Sequence, residues 1–393
     1  MIKKIFLALI SVSTILLLIG CNDSPSDLGI GFLPQDGIEV LKLDSSVDSI
    51  PQQSNSFKKV VNLGNSDQLL LGKAQNVTAN TLMRFAFVIP DSIKSEIEAN
   101  NLTVLDSYVE MTKNYIFGDS SAVFDYHVHK INSGWSSSTF TADSFATLSY
   151  DNNDVSTNRS TSNDTTYSFH LENTLASSWL KNYADTSLAS NNGILLTPME
   201  NTNKVLGFTA FNVSGINDPR MRVVVQKPGA YTDTLVGYIA VDVSVVLGDI
   251  PNTGNENLSI QSSLTSEGKL WFDLSVLPSG ATISSAKLTL TLDTLQTKTG
   301  SDFTNSLSVY LFSDSAKREI NTNYLYALNR SGSTFTGTIT NIVRAWNNNV
   351  DNQGMLIRAT SEQRGVEIFA IKGSNSANVL QRPKLEIVYS RKK

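Results

Sequence analysis

The sequence is poor in the residues that most often carry chemistry. It has one cysteine and three histidines among 393 residues, and only 17% of its residues are charged. A single cysteine cannot form an intramolecular disulfide, so the fold must be held by its apolar cores. The chain also lacks a Gly-x-Ser-x-Gly elbow, a His-Glu-x-x-His pair and a phosphate-binding glycine loop. We therefore expect a protein that is not an enzyme.

Basic runs are absent as well. The chain has 31 Lys and Arg against 36 Asp and Glu, for a net charge of -5, which argues against nucleic acid as a partner. No motif predicts a cofactor, although a calcium ion shared by several loops leaves no signature in a sequence. Glycoside hydrolysis by two carboxylates stays open as the least favoured function, because only a structure gives the spacing of such a pair.

One long apolar run is present, at the N-terminus. Residues 5–19 carry no charge, follow Lys3 and Lys4, and lead into Gly20 and Cys21. This run is shorter than the roughly 20 residues that a membrane-spanning helix needs, and its flanks are those of a secretory signal. An ordinary cleaved signal is the weaker alternative, because secreted proteins seldom keep one odd thiol.

The four residues Leu18-Ile19-Gly20-Cys21 resemble the lipobox of a bacterial lipoprotein. The resemblance implies that residues 1–20 are a signal peptide, that diacylglycerol is attached to Cys21, and that a fatty acid such as palmitate acylates the new N-terminus. Loss of Lys3 and Lys4 would leave 29 basic against 36 acidic residues, a net charge of -7. Two or three acyl chains hold a protein on a membrane without a spanning helix.

Residues 21–36 are rich in turn-forming residues and lack periodicity, so we predict a lipidated tether. The segments Asp27-Leu28-Gly29 and Phe32-Leu33-Pro34 resemble the start of a family of uncharacterised Bacteroidota lipoproteins. Asn22, not aspartate, follows Cys21, which favours the outer membrane or the cell surface if the enterobacterial sorting rule applies. We expect the protein to be lipid-anchored in the cell envelope.

An internal repeat organises the rest of the chain. Its two copies share landmarks in the same order: an apolar strand before a proline step, an alternating strand, a further strand, a short helix, and a last strand after a proline. The landmarks are residues 82–87, 106–111, 124–129, 175–179 and 219–225 in the first copy, and residues 270–274, 285–292, 307–312, 339–346 and 383–389 in the second.

The helix of the second copy is indicated by Ile339, Ile342, Val343 and Trp346 at positions i, i+3, i+4 and i+7, and we predict Thr340 or Asn341 as its cap. Trp346 and its counterpart Trp179 lie at apolar helix positions, which favours a core role over a sugar-stacking role.

A glycine follows the helix in each copy, Gly193 in the first and Gly354 in the second. We predict that both glycines supply a backbone conformation or a close approach that a side chain would forbid.

Short strands separated by turn signals predict an all-β protein of two tandem β-sandwich domains, of the jelly-roll type, each with one short helix. We place the first domain at residues 37–228 and the second at residues 235–393. The break falls near Lys227-Pro228-Gly229, and a strand at residues 238–247 is expected to open the second domain.

The second copy resembles the DNRLRE domain, a jelly-roll family of bacterial extracellular proteins related to a carbohydrate-binding module family with alginate-binding members. The resemblance covers most of residues 240–390 and rests on residues 272–274, Pro278, residues 285–288, Trp346, and residues 354–357 and 382–385. The first copy resembles the family more loosely, through residues 135–141, and has an insertion near residues 91–101. The resemblance implies carbohydrate binding, but no ligand residue can be carried over.

The best metal candidates are Asp125, His127 and His129, which strand alternation places on one face. Two imidazoles and a carboxylate can hold zinc or iron, but a polar strand face is the favoured interpretation because no fourth ligand is identifiable. Residues 151–154 form an oxygen-rich turn that could bind calcium, although turns of this composition are usually structural. His170 is isolated in the sequence.

Exposed aromatic residues could stack on a sugar ring, and a set on one sheet face or loop rim would count in favour of a binding site. The candidates are Tyr115, Tyr150, Tyr167, Tyr183, Tyr324 and Tyr326. The sequence thus predicts a non-catalytic, lipid-anchored extracytoplasmic protein that binds polysaccharide. A structural or assembly lipoprotein that contacts other envelope proteins is the alternative.

Overall fold

The computed structural model describes residues 37–162, 165–211 and 217–393. Cys21, the predicted signal peptide and the predicted tether lie outside these residues. The chain is all-β, with curled antiparallel sheets in a sandwich-like arrangement, as the sequence predicts.

The strands form two sheets. The ten-stranded sheet contains β3 (Gln68–Ala74), β4 (Val77–Phe87), β5 (Thr103–Gly118), β6 (Tyr126–Lys130), β7 (Ser156–Ser162), β8 (Thr166–Leu171), β9 (Ile194–Pro198), β10 (Lys204–Thr209), β11 (Arg220–Lys227) and β12 (Tyr231–Gly248). The eleven-stranded sheet contains β1 (Ile38–Asp44), β2 (Gln52–Lys58), β13 (Asn257–Gln261), β14 (Ser266–Phe272), β15 (Thr282–Thr291), β16 (Ser306–Asp314), β17 (Glu319–Ser331), β18 (Thr334–Thr338), β19 (Met355–Ala359), β20 (Ile368–Lys372) and β21 (Lys384–Lys392).

Four short α-helices accompany the sheets in the part of the chain that the structure describes: α1 (Asp91–Glu98), α2 (Ala142–Ala146), α3 (Asn173–Ala184) and α4 (Thr340–Asn347). A 3₁₀ turn covers Val379–Gln381. None of the helices in these residues has the length and apolar content that a membrane span requires.

The prediction of one helix per copy is right for the second copy and wrong for the first, which contains α1, α2 and α3. Helix α1 lies in the segment interpreted as an insertion, and its buried Ile93 and Ile97 are one turn apart, a signal too short to stand out. The predicted cap of α4 is also wrong, because Ile339 is the N-cap residue and the Thr340 hydroxyl instead accepts a hydrogen bond from the Ala286 amide at 3.0 Å.

The repeat is visible as equivalent strand pairing. In the first copy Met83 pairs with Ile194 and Val223 with Ser107. In the second copy Leu270 pairs with Met355 and Ile387 with Ala286, at the corresponding landmarks. Each copy thus places the same sequence landmarks at the same positions of its sheet.

The two predicted glycines are confirmed as points of close approach. Gly193 and Gly354 have φ angles of +83° and +88°. A Cβ on Gly354 would lie 2.7 Å from the Leu270 carbonyl oxygen, and one on Gly193 would collide with the carbonyl of Met83. These side-chain-free positions let β9 and β19 lie against their neighbouring strands.

The sheets define two lobes whose limits differ from the predicted domains. We call residues 66–248 the first lobe, and residues 37–58 together with residues 251–393 the second lobe. Strand β12 pairs with β11 and β4, so residues 235–248 belong to the first lobe and not to the second. Strands β1 and β2 pair with β21 and β14, so the N-terminal segment at residues 37–58 belongs to the second lobe and not to the first.

The N-terminal segment occupies the position in the second lobe that β12 occupies in the first. Strand β12 follows β11 through a tight turn and continues along β4. In the second lobe β1 and β2 lie along β21 and β14 in the corresponding places. The apolar alternation of residues 38–43 fits either sheet, so only the long-range pairing decides which lobe the segment completes.

Each lobe has its own core, and a third apolar cluster lies between the lobes. Trp179 is buried in the first core and Trp346 in the second, which confirms the predicted core role of both. The cluster between the lobes joins Leu63, Tyr115 and Val246 to Leu264 and Val366. The lobes are therefore packed against each other and not only linked by the chain.

Candidate functional site

Trp271 is a half-buried aromatic residue on the outer face of the second lobe. On β14 its neighbours Leu270 and Phe272 are fully buried in the core, so alternation places Trp271 and Lys269 on the opposite face. The indole Nε1 donates a hydrogen bond to the carbonyl of Asn352 at 3.0 Å. This bond fixes the ring against the loop that precedes β19.

Cavities of about 260 and 360 Å³ flank Trp271, and both are lined by Trp271 and Asn352. The smaller one is polar, with Lys269 and Gln353 among its lining residues. The larger one reaches Asp273 and the edge of Trp346. We call these two connected depressions the Trp271 groove.

The N-terminal segment completes the Trp271 groove. On β2, Gln53 pairs with Trp271 and Asn55 pairs with Lys269, and both amide side chains line the smaller cavity. Directly opposed residues of paired strands have Cβ atoms about 5 Å apart, so these amides lie beside the indole. One side of the groove is therefore built by residues more than 200 positions away in the sequence.

The groove combines groups that suit a polyhydroxylated ligand. An indole supplies an apolar face, and the amides of Gln53, Asn55 and Gln353 can donate and accept hydrogen bonds. The Lys269 ammonium lies 5.7 Å from the centre of the Phe312 ring, on the same side of the sheet. Concave sites of this kind orient a ligand by a few polar groups around an apolar surface.

The sequence names Trp271 only as a landmark of the repeat. The signal in the sequence that indicates the groove is the alternation of Trp271 with Leu270 and Phe272. Because those two residues are buried, the indole between them faces away from the core. The equivalent position of the first copy is Arg84, because Met83 and Leu270 occupy matching positions in their sheets. The aromatic groove is thus a feature of the second lobe.

The predicted metal ligands Asp125, His127 and His129 do lie on one face, with the two imidazole rings 5.8 Å apart. An arginine occupies the centre of this cluster: Arg159 is hydrogen-bonded to Asp154 and its Nε lies 3.7 Å from Asp125. Within the described residues no group of three or more His, Cys, Asp or Glu side chains has a metal-binding arrangement. The Arg159 guanidinium supplies the positive charge beside Asp125 and Asp154.

Burial lowers the pKa of His129, which keeps this imidazole neutral. Its Nε2 lies 3.1 Å from the hydroxyl of Thr197. Burial acts to raise the pKa of Asp154, but hydrogen bonds from Ser156, His127 and Val128 outweigh it and lower the pKa. The cluster is thus a charge-paired polar network on the strand.

The oxygen-rich turn at residues 151–154 has its carboxylates occupied by the protein. Asp154 accepts hydrogen bonds from the Ser156 amide at 2.9 Å and from the Val128 amide at 3.2 Å. Asp151 accepts one from the Asn132 side chain at 2.6 Å. These acids tie the turn to β6 and to the neighbouring loop.

His170, which the sequence leaves unassigned, lies on the outer face of the first lobe. Its Nδ1 is 2.8 Å from Asp106, and its ring centre is 5.4 Å from that of Tyr108.

The six candidate tyrosines do not form one aromatic surface. Tyr115 is fully buried between the lobes, so the prediction that it is exposed is wrong. Tyr183 is exposed, whereas Tyr167, Tyr324 and Tyr326 pack partly against the two cores. Tyr150 stacks near His129, with ring centres 5.3 Å apart.

The sequence contains no signal for a close pair of carboxyl groups, the buried Glu267 and the half-buried Glu362. Burial, with the nearby Glu362, raises the pKa of Glu267 to about 7. The Lys59 ammonium lies 3.7 Å from Glu267 and 3.6 Å from Glu362, and Arg358 lies 2.8 Å from Glu362. Glu267 and Glu362 thus lie beside the positive charges of Lys59 and Arg358. The cluster lies where the N-terminal segment leaves the second lobe.

No protein-family model matches the chain, and no curated protein matches it. Among solved structures, the C-terminal domain of the AgI/II polypeptide BspA of Streptococcus agalactiae is 10% identical, over 87% of this chain and 92% of that domain. The TM-score of this comparison is 0.13, which is too low to carry an argument about fold or function.

Proposed function

We propose that this protein is a non-catalytic, lipid-anchored protein of the cell envelope that binds polysaccharide in the Trp271 groove. The observation that carries the proposal is the half-buried indole of Trp271 with cavities on both sides. The amides of Gln53, Asn55 and Gln353 supply the hydrogen bonds that hydroxyl groups need. Lipid attachment at Cys21 and the resemblance of residues 240–390 to the DNRLRE domain support the extracytoplasmic location and the ligand class.

The groove is tested with Trp271→Ala in the mature chain. Affinity gels containing neutral or uronate polysaccharides retard a protein that binds them. Loss of the Trp271 stacking surface is expected to reduce the retardation about tenfold or more, because aromatic residues dominate the affinity of such sites. Tyr238→Ala is the matched control, since Tyr238 is 47% exposed on the first lobe and far from the groove residues in the sheet order.

Retention of both variants to the same extent would place any polysaccharide site elsewhere. If none of the gels retards the unmodified chain, the carbohydrate part of the proposal is contradicted. Co-purification of defined envelope proteins would then favour the assembly alternative.

The anchor is tested separately at Cys21. Mass spectrometry of the N-terminal peptide is expected to show cleavage before Cys21 and a thiol-linked diacylglycerol, and Cys21→Ala is expected to release the protein from membranes. An unmodified Cys21 thiol in membrane-extracted protein would contradict the anchor.

A further inference from the structure

Strand β1 carries exposed apolar side chains at an edge of the eleven-stranded sheet. Ile38 is 57% exposed and Val40 is 67% exposed, and both lie on the outer face with Lys42. Ile38 pairs with Lys392 on β21, and Val40 pairs with Ser390. Two large apolar residues on an exposed edge strand, beside a lysine, make a surface with an apolar and a basic part.

The same face is basic although the protein is acidic. Strands β1, β21 and β15 bring together four lysines and two acids, for a local net charge of 4 minus 2, or +2. The lysines are Lys42, Lys287, Lys384 and Lys392, and the acids are Asp44 and Glu386. We call the outer face formed by these residues with Ile38 and Val40 the edge patch.

Two lysines of the edge patch have no carboxylate partner. Lys42 and Lys384 form ion pairs with Glu386 at 2.9 and 3.4 Å. For Lys287 and Lys392 no described carboxylate lies within ion-pair distance, and both side chains are exposed. Their charge is therefore available to an anionic partner.

The edge patch lies where the tether enters the fold. The carbonyl of Gly37 accepts a hydrogen bond from the amide of Lys393 at 2.8 Å, so the start of β1 and the end of β21 are neighbours. Cys21 is 16 positions before Gly37, and that length of chain spans at most about 55 Å when fully extended. A lipid on Cys21 would therefore tether this edge of the second lobe within about 55 Å of the membrane.

We propose that the edge patch is a membrane-binding surface that lies on anionic lipid headgroups, with the second lobe towards the membrane and the first lobe away from it. Lys287 and Lys392 pair with the headgroup charges, while Ile38 and Val40 enter the boundary between headgroups and acyl chains. The proposed lipid at Cys21 would hold the protein in this orientation, but the edge patch attracts lipid and sets the orientation without it.

The attraction is measured by co-sedimentation of the mature chain from Asn22, which has no lipid, with vesicles of phosphatidylcholine with and without phosphatidylglycerol. Binding is expected only to the anionic vesicles and is expected to weaken as salt rises. The combined Lys287→Gln and Lys392→Gln variant is expected to bind about tenfold more weakly.

The matched control changes the exposed Lys181 and Lys298 to glutamine, which alters the net charge equally outside the patch. An equal loss of binding in both double variants would overturn the proposal, because net charge alone would then explain the attraction. Equal binding to both kinds of vesicle, or to neither, would also overturn it.

The orientation is measured with single labels, since the chain from Asn22 has no cysteine. A fluorophore on Val40→Cys is expected to be quenched by a headgroup-attached quencher, and one on Val123→Cys, 54% exposed in the first lobe, is not. Stronger quenching at Val123 would reverse the proposed orientation. Lipidation of Cys21 is measured by mass spectrometry, and binding by the edge patch is measured with vesicles. Failure of the anchor and failure of the edge patch therefore give different results.

Discussion

Tyr115 of the first lobe donates a hydrogen bond to Glu367 of the second lobe over 2.7 Å. The same phenol oxygen accepts a hydrogen bond from the Val366 amide at 3.0 Å, and the Gln68 side chain accepts one from the Gly365 amide at 2.9 Å. Both Tyr115 and Glu367 are buried. Burial raises the pKa of Glu367, and the phenol is the neighbouring donor that stabilises its charged form. Polar groups from both lobes are thus paired inside an apolar boundary.

Tyr115→Phe is expected to weaken the contact between the lobes. The variant removes one hydrogen-bond donor to the Glu367 carboxylate and the acceptor of the Val366 amide, which lowers the free energy of unfolding by about 1–3 kcal/mol. Urea denaturation followed by tryptophan fluorescence measures the change. Tyr183→Phe is the control, because Tyr183 is 39% exposed and should change stability by less than about 0.5 kcal/mol. Equal stability of both variants would show that the cross-lobe hydrogen bond contributes nothing.

Stability is expected to fall with rising pH through Glu267. The pKa of Glu267 is raised to about 7 in the folded protein, mainly by burial, above its ordinary value of 4.5. The unfolded state therefore loses its proton first, and the contribution of Glu267 to stability is full below about pH 4.5 and lost as pH rises to about 7.

Glu267→Gln cannot lose this proton, so its unfolding free energy should decline less over that interval, by up to about 3 kcal/mol. Denaturation curves at several pH values measure the difference, with the exposed Glu319→Gln as the control. A decline as steep in Glu267→Gln as in the unchanged chain would assign the pH dependence to other groups.

Gly354→Ala should lower the free energy of unfolding by more than the strain of a positive φ angle alone would. Gly280 has a φ of +77° and open space around it, so Gly280→Ala is expected to cost only about 1–2 kcal/mol. At Gly354 the added Cβ also meets the Leu270 carbonyl at 2.7 Å, and the β14–β19 pairing must shift. We expect an additional cost of about 2 kcal/mol in thermal unfolding. Similar melting temperatures for the two variants would mean that β14 and β19 can move apart around the added Cβ without a loss of stability.

The second lobe should fold alone when the N-terminal segment is joined to its other end. Residues 251–393, an Asn-Gly turn and residues 37–58 form a chain in which β21 continues into β1 through a two-residue hairpin. The Lys393–Gly37 hydrogen bond of 2.8 Å shows that the ends are close enough. Circular dichroism is expected to show a cooperative thermal transition for this chain and none for residues 251–393 without the segment. A cooperative transition in the shorter chain would show that β1 and β2 are dispensable.

Local patterns predicted the parts of the fold that depend on neighbouring residues. The alternation of residues 285–292 predicted β15, and the spacing from Ile339 to Trp346 predicted α4, because burial on one face imposes a period on either element. Gly193 and Gly354 were identified because a residue without a side chain between asparagines and an apolar strand indicates a backbone constraint.

The candidate site was predicted only in part. Asp125, His127 and His129 were expected on one face, and they lie there, but Arg159 and Asp154 approach from residues about 25 to 35 positions further along the chain. The Trp271 groove depends on Gln53 and Asn55, and the Glu267 cluster depends on Lys59. These contacts join distant segments, so no local pattern contains them.

The sequence by itself determined the all-β class, the repeat and the two helices that carry core tryptophans, since each is written in local patterns of residues. Only the tertiary structure decided that residues 37–58 complete the second lobe, that β12 closes the first, and that Trp271 faces a groove. The physical reason is that a strand with an apolar face can be buried against either sheet, and its place is settled by pairing and packing with residues up to several hundred positions away.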